Sequence, residues 1–283
     1  MSLQDMINNL LDPYSRQARH FPGLLSVFPP LITALAWFPA LLMSNIGTIL
    51  LTIITSCGLL YLLGSWARTR GKKVEKRLLE EWGGWPTTIF LRHSGPLDPS
   101  TRGRYHTFLA ANVPGIVMPS AADEGADPKA ADAVYASAVK CLKELVRKTA
   151  PLVDKENAQY GFRRNLRGMK PIAITVCFVA AIGTLLAIAL TAPTFMPADL
   201  AAAARNTPVP IWVAFAVDVV AIIGWVAIVN DAWIRQAGDQ YADALLATCD
   251  RAPPKKAVGD GSAASGKKSR KNTAKAEKQE GNA

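Results

Sequence analysis

A single carboxylate, Asp218, lies near the middle of an apolar segment, residues 209–230, that is long enough to cross a lipid bilayer. A charged side chain at that depth costs about 2.5–3.5 kcal/mol on insertion scales, so an intramembrane carboxylate is a functional-site hypothesis. The other apolar segments contain no Lys, Arg or His, so no ion pair is available at the same depth. Asp218 must therefore be protonated, hydrated or hydrogen-bonded across helices.

Another apolar segment offers partners for this carboxylate. Its polar residues recur at helical spacing and form one face: Asn45, Thr48, Thr52, Thr55 and Ser56. This face, opposite a midplane acid, could line a narrow aqueous path. Alternatively, Thr and Ser allow close helix packing, and Asp218 is a neutral hydrogen-bonding group between helices. The sequence leaves both interpretations open.

A basic and aromatic segment, residues 156–170, forms the second candidate site. The residues predicted to contact anionic lipid headgroups or a protein partner are Tyr160, Arg163, Arg164, Arg167 and Lys170. The alternative is that these side chains are the positively charged flank of the following span, with arginines that extend toward the interface.

The remaining polar clusters match no catalytic or metal-binding motif. His93 and His106 lie near carboxylates, but no HExxH or GxSxG pattern accompanies them. Gly83-Gly84 lacks the spacing of a phosphate-binding loop and is interpreted as a structural turn. We expect no metal site and no cofactor. The Lys-rich tail lacks aromatic residues for base stacking, so no specific nucleic-acid binding is expected.

The apolar runs that carry these residues exclude an ordinary soluble globule. Residues 21–67 contain no Asp, Glu, Lys or Arg, and half of the 283 residues are hydrophobic. A crossing needs about 20 helical residues. The sequence therefore predicts four spans, at residues 22–43, 46–66, 171–191 and 209–230.

The formal net charge of +10 indicates how these spans are oriented. Lys and Arg cluster after the second span and before the third, whereas the two connections predicted on the opposite side contain only Arg205. By the positive-inside rule, both termini and the central region are cytoplasmic. We expect a multi-pass protein of a bacterial inner (plasma) membrane.

The predicted fold is an all-α membrane protein with two transmembrane helical hairpins and a mostly helical cytoplasmic domain inserted between them. A strand-like stretch, Thr87–Leu91, is the one expected β element, and Asp127-Pro128 is expected to start a long amphipathic helix. The six predicted segments are a cytoplasmic N-terminal segment 1–21, a first hairpin 22–66, the cytoplasmic domain 67–170, a second hairpin 171–230, a helical extension 231–250 and a basic disordered tail 251–283.

Three functions follow from these patterns. The first is non-enzymatic: the cytoplasmic domain senses a signal or binds a cytoplasmic protein partner, anchored by the spans in a homo-oligomer. The second is an oligomeric ion- or proton-conducting pore, or a membrane-disrupting effector, lined by Asp218 and the polar face of the second span. The third is a membrane-bound enzyme that uses the region of His93 and His106.

Overall fold

The computed structural model describes residues 12–40, 59–147 and 149–251. Regular structure in these ranges is entirely helical, without a strand. The elements are α1 (Pro13–Ser15), a π-helical turn (Arg16–His20), α2 (Phe21–Trp37), α3 (Leu59–Trp82), α4 (Pro86–Leu91), α5 (Pro99–Asn112), α6 (Ala121–Ala126), α7 (Pro128–Leu145), α8 (Pro151–Leu190), α9 (Pro197–Asn206), α10 (Val209–Ala227), α11 (Asp231–Leu246) and a 3₁₀ turn (Ala247–Asp250).

Helix starts follow from local capping chemistry. The Asp98 carboxylate accepts the Thr101 amide at 2.9 Å before α5, and Asn230 accepts the Trp233 amide at 2.9 Å before α11. Asp127 caps α7 in the same way, as predicted. Proline occupies the first turn of many of these helices, where its missing N–H costs nothing.

Three helical runs are long and apolar enough to cross a membrane: Pro13–Trp37, Pro151–Ala189 and Val209–Ala227. They indicate a membrane protein and agree with three of the four predicted spans. Most of the remaining predicted span, residues 46–66, lies outside the described residues; its end forms the first turns of α3. The tail beyond residue 251 also lies outside them.

The third predicted span, residues 171–191, does not begin a helix of its own. A single 40-residue helix, α8, runs from Pro151 to Leu190 with Pro171 inside it. Proline removes one backbone donor, but neighbouring helices and hydroxyl side chains can compensate at membrane depth. Here α8 packs against α2, α3, α10 and α11, and this packing offsets the cost of the N–H that Pro171 cannot donate to the Arg167 carbonyl. The predicted domain boundary at residue 170 therefore lies within a continuous helix.

The predicted strand at Thr87–Leu91 is also wrong, because these residues form α4. Pro86 starts the helix, and the buried Thr87 and Thr88 face protein rather than a neighbouring strand. Tertiary packing of α4 against α11 outweighs the weak β preference of its threonines.

A separate apolar core holds the polar part of the chain together. It joins Leu91 of α4, Tyr105 and Leu109 of α5, Tyr135 of α7 and Leu245 of α11. The helix that follows α10 thus packs onto the central helices. We call this unit, formed by α4 to α7 and α11, the helical lobe.

Candidate functional site

Asp218 is fully buried on α10. Thr33 of α2 donates its hydroxyl to Oδ2 of Asp218 at 2.5 Å. The other carboxyl oxygen, Oδ1, has no hydrogen-bond partner within the described ranges. A carboxyl group between apolar helices therefore accepts a hydrogen bond from a neighbouring apolar helix, which is one of the arrangements that the sequence left open.

The partner itself was missed by sequence reasoning. The predicted partners Asn45, Thr48, Thr52, Thr55 and Ser56 all lie outside the described residues. A signal for Thr33 exists in the sequence: Pro22, Ser26, Pro29 and Thr33 are spaced three or four apart and form the buried face of α2.

The predicted basic site is used largely for contacts within the protein. Arg163 donates to the Trp233 carbonyl at 2.8 Å, and its guanidinium lies 4.8 Å from the centre of the Trp233 ring. Arg167 donates to Asp231 at 2.8 Å. Lys170 donates to the Val229 carbonyl at 2.8 Å, where a cation suits the end of α10. These side chains fix the joint between α10 and α11.

Arg164, from the same segment, is buried and forms an ion pair with Glu75 of α3. Its Nη1 lies 2.6 Å from Oε1 of Glu75, and its Nε donates to Asn165 at 3.1 Å. Lys72 donates to the second oxygen of Glu75. Burial alone would raise the pKa of Glu75, but Arg164 and Lys72 outweigh it and hold that pKa below its ordinary value. The sequence did not indicate this pair.

Small residues make this contact possible. A Cβ on Gly71 of α3 would lie 2.0 Å from Oδ1 of Asn165, and a Cβ on Gly168 of α8 would lie 2.5 Å from the Gly71 amide nitrogen. Asn165 also donates to the Ala18 carbonyl at 2.6 Å. We call this crossing of the π-helical turn, α3 and α8, at Ala18, Gly71, Asn165 and Gly168, the three-helix junction.

The two histidines of the helical lobe hold loops in place. His106 donates from Nε2 to the Leu91 carbonyl at 2.8 Å, and His93 donates from Nε2 to the Pro119 carbonyl at 3.0 Å. Burial lowers the pKa of His106, which favours its neutral form. Catalysis by this pair stays a hypothesis.

Gly83-Gly84 forms the predicted turn. Both residues have positive φ, 73° and 137°, and the Gly83 carbonyl accepts from Arg92 at 2.5 Å. Within the described residues, no group of three or more His, Cys, Asp or Glu could hold a metal ion.

No protein family, curated protein or solved structure matches the chain. The geometry of Asp218, of the three-helix junction and of the helical lobe must therefore support any functional conclusion by itself.

Proposed function

We propose that the protein is an integral inner-membrane protein whose cytoplasmic helical lobe is a non-enzymatic sensing or partner-binding module anchored by four spans. The observation that carries the proposal is the buried Arg164–Glu75 pair between α3 and α8. Both helices run from an apolar segment into the polar part of the chain without a break.

The length of α8 supports mechanical coupling. A 40-residue helix is about 60 Å long, roughly twice the thickness of a bilayer core. Half of α8 therefore extends beyond the lipid, beside α3 and α11. Because the three-helix junction joins α3 to α8, a movement of the helical lobe acts on two spans together. A ligand that prefers one position of the lobe would shift the spans accordingly.

The side of the membrane and the assembly are parts of the same proposal. The basic side chains beside α3 and α8 support a cytoplasmic lobe and cytoplasmic termini. We propose a homo-oligomer because little of the three apolar helical runs is buried within one chain. In the most hydrophobic stretch of each run, only 22–33% is buried. The apolar surface that is not buried would contact either the bilayer, with its anionic headgroups, or neighbouring copies of the chain.

The proposal is tested by placing a photo-crosslinking amino acid at Val117 or, as a matched control, at Phe195. Both are highly exposed apolar residues, at 83% and 71%, on predicted opposite sides of the membrane. In cells, we expect discrete protein adducts from Val117 that do not form from Phe195. Identical adducts from both positions, or none from Val117, would contradict a cytoplasmic partner-binding lobe.

A second function, an ion or proton pathway, is favoured by the unpaired Oδ1 of Asp218 within the described residues. We expect Asp218→Asn to reduce ion or proton flux into liposomes severalfold if the carboxylate lines a path, because the amide cannot carry the charge. Asp199→Asn, on the connection before α10, is the control and should leave flux unchanged. Absent flux, or equal flux in wild type and Asp218→Asn, counts against a pore.

A further inference from the structure

A cationic cavity lies beside the three-helix junction. It has a volume of about 240 Å³. The charged side chains that line it are Arg19, Arg68, Lys72, Lys143, Arg164 and Glu75. Five cations thus surround one carboxylate, and they come from the π-helical turn, α3, α7 and α8. Convergence of four elements on one cavity produces a positive potential that no single stretch of sequence encodes.

The single carboxylate does not neutralise this group. Lys72 and Arg164 already engage the two oxygens of Glu75. Arg68 and Lys143 form no ion pair with any described residue. Part of the Lys143 side chain is exposed to solvent. Neighbouring protein nevertheless partly desolvates its ammonium group, which lowers the pKa of Lys143. An anion in the cavity would stabilise the charged ammonium group and raise this pKa again.

A buried hydroxyl in the same cavity lacks a partner. Tyr160 is 6% exposed, and its hydroxyl forms no hydrogen bond within the described residues. The Glu75 carboxylate lies near enough to influence this hydroxyl, but its two oxygens already accept from Lys72 and Arg164. A buried donor without an acceptor is costly, so native proteins rarely leave one. An acceptor oxygen placed in the cavity would satisfy it.

We propose that this cavity binds the phosphate group of an anionic ligand, either the headgroup of an acidic phospholipid or a small soluble phosphate compound. Phosphate offers several acceptor oxygens to guanidinium, ammonium and phenol donors at once. The volume is below that of most drug-sized ligand sites, which suits a headgroup or a small phosphate ester.

The position of the cavity brings both sources within reach. Arg19 precedes the apolar part of α2, and Arg68 follows the apolar start of α3, so both lie where lipid headgroups are expected. Lys143 and Tyr241, in contrast, belong to the helical lobe, and the Lys143 ammonium lies 5.4 Å from the Tyr241 ring centre. Of the segment predicted to contact lipid, Tyr160 and Arg164 line this cavity.

The test uses the full-length protein and does not depend on the proposed sensing function. One arm measures lipid retained by the protein, by native mass spectrometry, from nanodiscs of phosphatidylcholine with and without phosphatidylglycerol. The other arm titrates glycerol 3-phosphate into protein in a neutral detergent by calorimetry. The variant is Arg68→Gln with Lys143→Gln, which leaves the Arg164–Glu75 pair intact. Arg147→Gln is the control, an exposed cation outside the cavity.

We expect wild type and Arg147→Gln to bind in at least one arm, and the double variant to bind at least about tenfold more weakly in that arm. Retention of phosphatidylglycerol without glycerol 3-phosphate binding identifies a lipid headgroup, and the reverse identifies a soluble phosphate compound. Absence of binding in both arms, or equal binding by the double variant, overturns the proposal. If the double variant is unstable, Lys143→Gln alone is compared with wild type and Arg147→Gln in the same two arms, because Lys143 is at an exposed position.

Discussion

Glu75→Ala is expected to reduce the free energy of unfolding by about 3–5 kcal/mol, because it leaves the buried guanidinium of Arg164 without its counter-ion. Arg164 and Glu75 are both almost fully buried, and Nη1 and Oε1 lie 2.6 Å apart. The measurement is denaturant unfolding of the purified protein in detergent, followed by tryptophan fluorescence.

Glu81→Ala is the matched control on the same helix. Glu81 is 51% exposed, and its carboxylate lies 3.6 Å from Arg77. Exposed pairs of this kind contribute about 0–1 kcal/mol. Equal losses from Glu75→Ala and Glu81→Ala would show that the Arg164–Glu75 pair does not hold α3 to α8.

The same pair predicts how stability depends on pH. Arg164 and Lys72 hold the pKa of Glu75 below its ordinary value in the folded protein, so folding favours the charged form. Its contribution is fully present above the ordinary pKa of a glutamate and is lost as the pH falls through the lowered pKa. The stability difference between wild type and Glu75→Gln should accordingly shrink on acidification. A difference that stays constant or grows at low pH would contradict the ion pair.

Gly168→Ala is expected to destabilise the protein by about 1–3 kcal/mol, although alanine favours a helix over glycine by about 1 kcal/mol. The added Cβ would lie 2.5 Å from the Gly71 nitrogen and 2.6 Å from the Arg70 carbonyl carbon. Both are backbone atoms, so the methyl group can be accommodated only if α3 and α8 move apart. Thermal unfolding in detergent measures the loss.

Gly183→Ala, in the same helix, separates the packing effect from helix propensity. A Cβ at Gly183 would meet no atom within 4 Å. We expect no loss of stability from this substitution. If Gly168→Ala and Gly183→Ala behaved alike, α3 and α8 would not be in direct backbone contact at the three-helix junction.

Several features of the fold were determined by the sequence alone, because their causes act over a few neighbouring residues. The apolar length of residues 171–190 and 209–227 requires helices of membrane-crossing length. Asp98, Asp127 and Asn230 mark the starts of α5, α7 and α11, since a cap acts within three residues of its own position.

Local signals failed where tertiary packing outweighed them. The β preference of Thr87 and Thr88 is weaker than the gain from packing α4 onto α11. Pro171 would break an isolated helix, but α8 continues through it because packing against four neighbouring helices outweighs the lost hydrogen bond.

The candidate sites depended most on the tertiary structure. Thr33 meets Asp218 across 185 positions of sequence, and Glu75 meets Arg164 across 89. Spacing along one helix places Glu75 on the buried face with Gly64, Ala67 and Gly71, but it cannot identify the helix that this face will contact. The tertiary structure decides that α3 pairs with α8. Because Gly71 and Gly168 have no Cβ, the two helices can approach closely enough to exclude water between them.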